Sequence, residues 1–247
     1  MVLAESTWAE IDVFPRDSMV LIPTGATEQH GVHLPLLTDS LIVQEIARQI
    51  ERNLTDSVIL CPVVWLGASA AHLPFAGTLT ASFTSYHASL NAIIRSFQHH
   101  GFNRFYILNG HGGNSDSNRM VLKEVKDTHP NGVYVHTTYF ELIQPEIEHL
   151  LKGPSKRMTH GCEAETSLLL HLRPDLVRMS KARKDGMKSS PSVTGLIQRF
   201  DELSETGSIG YPQFATAETG ARLFQAAVDS VTDQLERLRQ TLVMVEI

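Results

Sequence analysis

The chain has little cysteine: only Cys61 and Cys162, far apart and outside any C-x-x-C spacing. Neither a disulfide framework nor a thiolate zinc site is indicated, so any metal must be held by imidazole and carboxylate. Positive charge is also scarce, with 21 Lys and Arg against 27 Asp and Glu and a net charge of −6. No basic surface invites nucleic acid. No apolar run approaches the roughly twenty residues a bilayer-spanning helix needs, so no membrane partner is expected. The opening "MVLAESTWAEIDVF" lacks both a basic n-region and an apolar h-region; a cleaved signal is therefore not expected, and the cytoplasm is the expected compartment. There is no G-x-x-x-x-G-K-[ST], no G-x-G-x-x-G, no internal repeat and no low-complexity tract.

What is present is enough apolar chain for one sizeable core. With 247 residues, 42% of them hydrophobic, residues 1–247 read as a single domain. Short β-rich runs alternate with helical periodicity. "SMVLIPTG" (18–25) is followed by "DSLIVQEIARQIERN" (39–53), with Ile42, Ile46 and Ile50 at helical spacing. "SVILCPVVWLG" (57–67) is followed by a helix over 85–101 that stops at Gly101. A third strand (103–110) precedes a helix over about 115–127, and "GVYVHTTYF" (132–140) is the fourth. This alternation predicts an α/β fold, a mostly parallel sheet covered by helices on both faces. The pattern weakens from 141 to 216, where "KARKDGMKSSPSVTG" (181–195) reads as a mobile loop or lid. It resumes in one amphipathic helix over 216–242.

The polar chemistry falls just after the predicted strands. Glu28 and His30 follow the first, His72 the second and "NGHGGN" (109–114) the third. Open α/β sheets place their sites beyond the carboxyl ends of strands, so these residues, with Tyr139, are expected at one edge. Glu28 and His30 are two apart and share a face in extended chain. Asp39 then opens a helix, either as its cap, with Thr38 an equal candidate, or as a third ligand. Imidazole and carboxylate without thiolate suit Zn, Mn or Fe(II), and Asp39 is the natural bridge if two ions sit about 3.5–4 Å apart. His111, flanked by glycines, reads as a ligand delivered into a tight pocket or as part of an anion-binding turn. In "THGCEAETS", Glu163 and Glu165 suit a helix start through the dipole alone, or add a carboxylate to the site.

Taken together, "TWAEID", "PTGATEQHGVHLPLLTD", "FAGTLTAS", "ILNGHGGN", "HGCEAETSLLL" and "GSIGYPQFATAETG" resemble the creatininase (creatinine amidohydrolase) family over most of the chain. The resemblance implies a three-layer α/β/α fold, two divalent ions per chain, hydrolysis of an unusual C–N bond, and a homo-oligomer, either a dimer or a ring such as a hexamer. It makes Glu28, His30, Asp39 and His111 metal ligands, with Asp39 bridging. Two departures from creatininase proper stand out. A metal-binding carboxylate is replaced by Gly113, and Glu163 appears where that enzyme has an apolar residue. Branches carrying the glycine include formamide hydrolases and peptidases of modified peptides.

These features give a set of expected roles. Glu163 is expected to supply the missing ligand, Glu165 to act on the attacking water, and His160 to protonate the leaving nitrogen. Glu163 and Glu165 lie about 200° apart on a regular helix, so this requires an irregular turn. His33 is expected to be structural. Trp65, His72, Phe75 and Tyr139 are expected to line a pocket for a small-molecule substrate. The main reading is a dinuclear amidohydrolase cleaving an amide, cyclic amide or formamide by metal-activated water. The alternatives are a peptidase of a modified peptide, a lactone or phosphoester hydrolase, and a non-catalytic metal sensor.

Overall fold

The computed structural model describes residues 1–183, 187–189, 191 and 193–245. α1 (Trp8–Asp12), closed by a reciprocal Thr7–Glu10 capping box, leads into β1 (Met19–Thr24), whose six residues are all buried. There follow α2 (Thr38–Asn53), β2 (Val58–Leu60), α3 (Phe83–His99), β3 (Arg104–Asn109), α4 (Ser115–Thr128) and β4 (Val133–Thr138). The later elements are helices joined by irregular chain: α5 (Tyr139–Leu142), α6 (Gln144–Leu150), α7 (Glu163–Leu172), α8 (Phe200–Leu203) and α9 (Ala217–Val245).

Among the described residues these four strands pair in parallel, in the order β2-β1-β3-β4. The chain leaves β1 in one direction to form β2, then crosses back to form β3 on the other side. Right-handed crossovers in opposite directions put the connecting helices on opposite faces. Accordingly Leu21, Leu60, Tyr106 and Leu108 pack under α2, α7 and α9, while Val20, Ile22, Phe105 and Ile107 pack under α3 and α4. The result is the three-layer α/β/α fold, with the crevice between β1 and β3 at the point where strand order reverses.

Two local details set the geometry. β2 is shorter than the run 57–67 because Pro62 has no N–H to give the ladder. The chain stays against β1 only through single contacts, Val64 N–H to Pro23 O and Gly25 N–H to Val64 O, both 2.9 Å. α7 is buried along residues 163–169 and packs on α9; at Gly220 a Cβ would lie 1.8 Å from the Ser167 carbonyl oxygen, so only glycine permits this approach. The lid expected over 181–195 falls in part on residues 184–186, 190 and 192, which lie outside the described residues. Beyond them, Met187 bridges Ser204 and the Lys188 N–H donates to Leu203 O at 2.8 Å.

Candidate metal centre

Three chain segments converge on the crevice. Beyond β1 the chain runs through Glu28 and His30 and turns at Gly31, whose φ is +70°. It doubles back so that the Glu28 N–H donates to Leu36 O at 2.8 Å, then enters α2, where Asp39 is in the first turn. Beyond β3, the Asn109 side chain clamps the His111 backbone, donating to its carbonyl at 2.7 Å and accepting its N–H at 3.2 Å. The third segment carries His160 and Glu165 at the start of α7. His72 closes the group from the short turn Ala70–His72. All of these side chains are buried, from His30 at 0% to His160 at 9% exposed.

The imidazoles are oriented by backbone carbonyls, which only accept hydrogen bonds. His30 Nδ1 donates to Glu28 O at 3.1 Å, His111 Nε2 to Ala68 O at 3.2 Å, and His160 Nε2 to Gln29 O. The opposite ring nitrogens therefore face inward. His30 Nε2 lies 2.9 Å from Asp39 Oδ1 and 3.8 Å from Glu165 Oε1. His111 Nδ1 lies 3.1 Å from Asp39 Oδ2 and 3.3 Å from Glu28 Oε1. A lone pair set against a carboxylate oxygen is repulsive unless a cation lies between them, and the backbone-oriented imidazole is the usual metal-ligand arrangement. Both Glu28 oxygens and Asp39 Oδ2 are buried without a hydrogen-bond partner, which is costly unless an ion satisfies them.

Protonation shows the same demand for cations. Burial opposes charge on His30, but the carboxylates of Asp39, Glu165 and Glu28 together outweigh it and the pKa rises to about 10. At His111 burial is likewise outweighed, by Glu28 and Asp39, and the pKa is pushed well up. Two groups of donors are close enough to share an ion, Glu28–Asp39–His111 and His30–His160–Glu165, and a third joins Glu28, His72 and His160. Asp39 touches both of the first two, with one oxygen toward each. The residues therefore fit a two-cation centre.

Several expected placements are corrected. Glu163 is not in any of these groups. α7 is a regular helix, so Glu163 points away from Glu165, and its carboxylate accepts the Lys152 N–H at 2.7 Å and the Gly153 N–H at 2.8 Å. Glu165 is the one delivered to the centre, with Oε2 on the Cys162 N–H at 3.2 Å and Oε1 toward His30. Burial raises its pKa to about 7, against the lowering pull of His30. His160 is held neutral, its pKa well down through burial and then His30 and His72, so it must accept a proton before it can donate one. Trp65 is 48% exposed and lines no part of the central cavity, nor does Phe75. Tyr139 is in the core beneath Glu165 and Asp39; burial and then those carboxylates hold its phenol neutral.

The cavity over the centre is about 460 Å³ and has a wall that sequence reasoning missed: Phe140, Met158, Phe200 and Ile209. Phe200 stacks on His72 with ring centroids 3.8 Å apart. Phe140 and Phe200 are in the four-residue helices α5 and α8, and Met158 and Ile209 in irregular chain; none of these stretches is long enough to give a periodic signal, whereas Gln29 could have been suspected from its place between Glu28 and His30. Among the described residues no Lys or Arg lines the cavity.

The missing carboxylate at Gly113 has a steric reason. A Cβ there would sit 2.5 Å from both Ala68 O and His111 Nε2, the two atoms whose hydrogen bond orients His111. Gly113→Ala is expected to lower metal affinity by roughly 10–100-fold, the usual effect of disturbing a ligand's orienting partner, as read by chelator competition. An unchanged affinity would show that His111 is not oriented this way.

His33, three residues beyond His30, is buried against Thr166 Oγ1 at 3.0 Å. Burial, and then the nearby His30, lower its pKa to about 4. Between that value and about 6.5 the unfolded chain binds a proton that the folded chain does not, so this contribution to stability is complete above about 6.5 and is lost as pH falls toward 4. His33→Gln is expected to flatten part of the fall in melting temperature between pH 6.5 and 4 in metal-free protein. A slope identical to the native chain's would remove His33 as a source of the effect.

A parallel α/β/α sheet with buried carboxylates and inward imidazoles at its switch point is the frame of a metal-dependent hydrolase. The chain belongs to the creatininase family: the family model for creatinine amidohydrolase matches residues 4–235. It is 30% identical over 235 residues to the mycofactocin precursor peptide peptidase of Mycobacterium tuberculosis, covering 88% of this chain and 84% of that one. It is 23% identical over 256 residues to the creatinine amidohydrolase of Pseudomonas putida, covering 94% and 95%. The crystal structure of creatininase superposes with a TM-score of 0.83 at 23% identity, covering 96% of both chains. Solved creatininases include a manganese form and a Zn–Zn type.

Proposed function

We propose that this hydrolase cleaves an amide bond in a modified peptide. The observation that carries the reading is the cavity, about 460 Å³ and walled by Phe140, Met158, Phe200 and Ile209. That is room for a side-chain-bearing group, far more than a small cyclic amide fills. The relatives named peptidases, at 28–30% identity against 23% for creatinine amidohydrolase, support the same direction.

Divalent ions bound by Glu28, His30, Asp39, His111 and Glu165 would supply a Lewis acid and lower the pKa of water toward neutrality. The chain's own residues supply the rest. The apolar wall binds the group beside the scissile bond and excludes bulk water. His160 Nδ1, neutral and turned inward 3.7 Å from Glu28 Oε1, is placed to take a proton and return it to the leaving nitrogen. The test is a panel offered to Zn- or Mn-loaded protein: peptides modified at one end, creatinine, formamides, lactones and phosphoesters. Peptide cleavage with at most weak turnover of the others is expected. Creatinine hydrolysis without peptide cleavage would overturn the proposal, and inertness toward every member would favour the sensor reading.

A further inference from the structure

We propose that His72 is a positioning residue, a fixed Nε2–H donor that sets the Glu28 carboxylate, and that Gln29 dictates its tautomer. This rests on the metal-centre reading above. The Gln29 amide cannot be reversed. Its Oε1 accepts the Gly31 N–H at 2.9 Å, and its Nε2 donates to the Gly207 carbonyl at 3.0 Å. Exchanging the two ends would set oxygen against a carbonyl and NH2 against an N–H. The remaining amide proton has two neighbours, His72 Nδ1 at 3.0 Å and His160 Nε2 at 3.1 Å. His160 Nε2 already carries the proton that it gives to the Gln29 carbonyl, so it cannot accept. The proton goes to His72 Nδ1.

With Nδ1 accepting, a neutral His72 carries its proton on Nε2, and that nitrogen lies 3.3 Å from Glu28 Oε1. It has no lone pair for an ion. His72 thus belongs to the group Glu28–His72–His160 as an N–H that faces Glu28 Oε1, not as a ligand. Neither Glu28 oxygen has a hydrogen bond of full geometry in this structure; His72 Nε2 and His111 Nδ1 both lie 3.3 Å from Oε1, so the His72 N–H governs how the carboxylate turns toward an ion. The surroundings are built for this. Gly207 has φ +88° and a Cβ there would fall 1.9 Å from Gln29 Oε1, so the 204–209 loop closes on the amide only as glycine. Phe200 stacks on the outer face of the His72 ring.

The experiment combines ring-nitrogen NMR of the native chain, metal-free and zinc-loaded, with zinc titration of His72→Leu, His72→Gln and Gln29→Glu. His72 is expected to show a protonated Nε2 in both states. His72→Leu should keep the native ion count and weaken affinity by roughly 10–100-fold. His72→Gln, which restores an N–H, should recover part of that loss. Gln29→Glu, which removes the donor to Nδ1, should weaken binding as the Leu variant does. A metal-bound His72 nitrogen, or loss of one ion in both His72 variants, would make His72 a ligand and overturn the proposal. Native-like affinity in His72→Leu would overturn it too. A native chain that takes up no zinc would instead bring down the metal-centre reading itself.

Discussion

Replacing Asp39 with Ala should remove more metal than any other single change and lower kcat/KM by about 10³-fold or more, the scale of losing the main electrostatic element of a site. The reason is its position between the two groups of donors. Oδ1 is 2.9 Å from His30 Nε2 and Oδ2 is 3.1 Å from His111 Nδ1, in a side chain only 4% exposed. No other carboxylate contacts both imidazoles at hydrogen-bonding distance among the described residues. Deleting it leaves each ion with fewer anionic ligands, and the inward nitrogens of His30 and His111 lose their common neighbour. Metal per chain by elemental analysis, beside activity before and after chelation, reads the effect. His33→Gln, whose ring contacts Thr166 rather than the centre, should keep its metal. If His33→Gln were stripped while Asp39→Ala stayed loaded, the bridging assignment would be wrong.

Where the sequence announces an element, it does so through periodicity. α2, α3, α4 and α9 have apolar residues at helical spacing, and the strands are short runs rich in β-branched, aromatic and other apolar residues between turn signals, so both layers and the parallel sheet are legible. What is hidden depends on single residues or short lengths. Pro62 cuts β2 to Val58–Leu60 although the apolar run continues past it. α5 and α6, four and seven residues long, are too brief for a periodic pattern. The segment between α7 and α9 is held by isolated contacts such as the bridge between His160 and Ile209.

The site follows the same division. Glu28, His30 and His111 converge because each sits a few residues beyond a strand end, and the topology of a parallel sheet brings strand ends together; Asp39 joins them because the chain turns back at Gly31 into the first turn of α2. Which face of α7 turns inward is a matter of helix phase, set by packing against α2 and α9, and spacing alone cannot give it. The wall of the cavity is still less accessible. Tyr139 and Phe140 are adjacent, yet the first is buried in the core and the second lines the cavity, a choice made by the turn into α5. Trp65 is directed outward because the chain after Pro62 is no longer a regular strand.

That helix phase separates Glu165 from Glu163. Glu165→Gln is expected to lower metal occupancy and to slow turnover of any metal retained by roughly 10²-fold or more, with a near-native melting temperature in metal-free protein. Its Oε1 faces His30 Nε2 at 3.8 Å in a pocket where burial raises its pKa to about 7, an anion that a bound cation would stabilise. Glu163→Gln should do the opposite. Its two oxygens receive the Lys152 and Gly153 N–H groups at 2.7 and 2.8 Å, and an amide puts an NH2 against one of those donors. Charge-assisted hydrogen bonds of this kind contribute about 1.5–3 kcal/mol each, so a fall of several degrees in melting temperature is expected while the ion count stays native. Elemental analysis and thermal melts of the two variants, side by side, separate the roles. A Glu163→Gln chain that melts normally but has lost an ion, beside a fully loaded Glu165→Gln, would restore Glu163 as the ligand and require α7 to unwind at its first turn when metal binds.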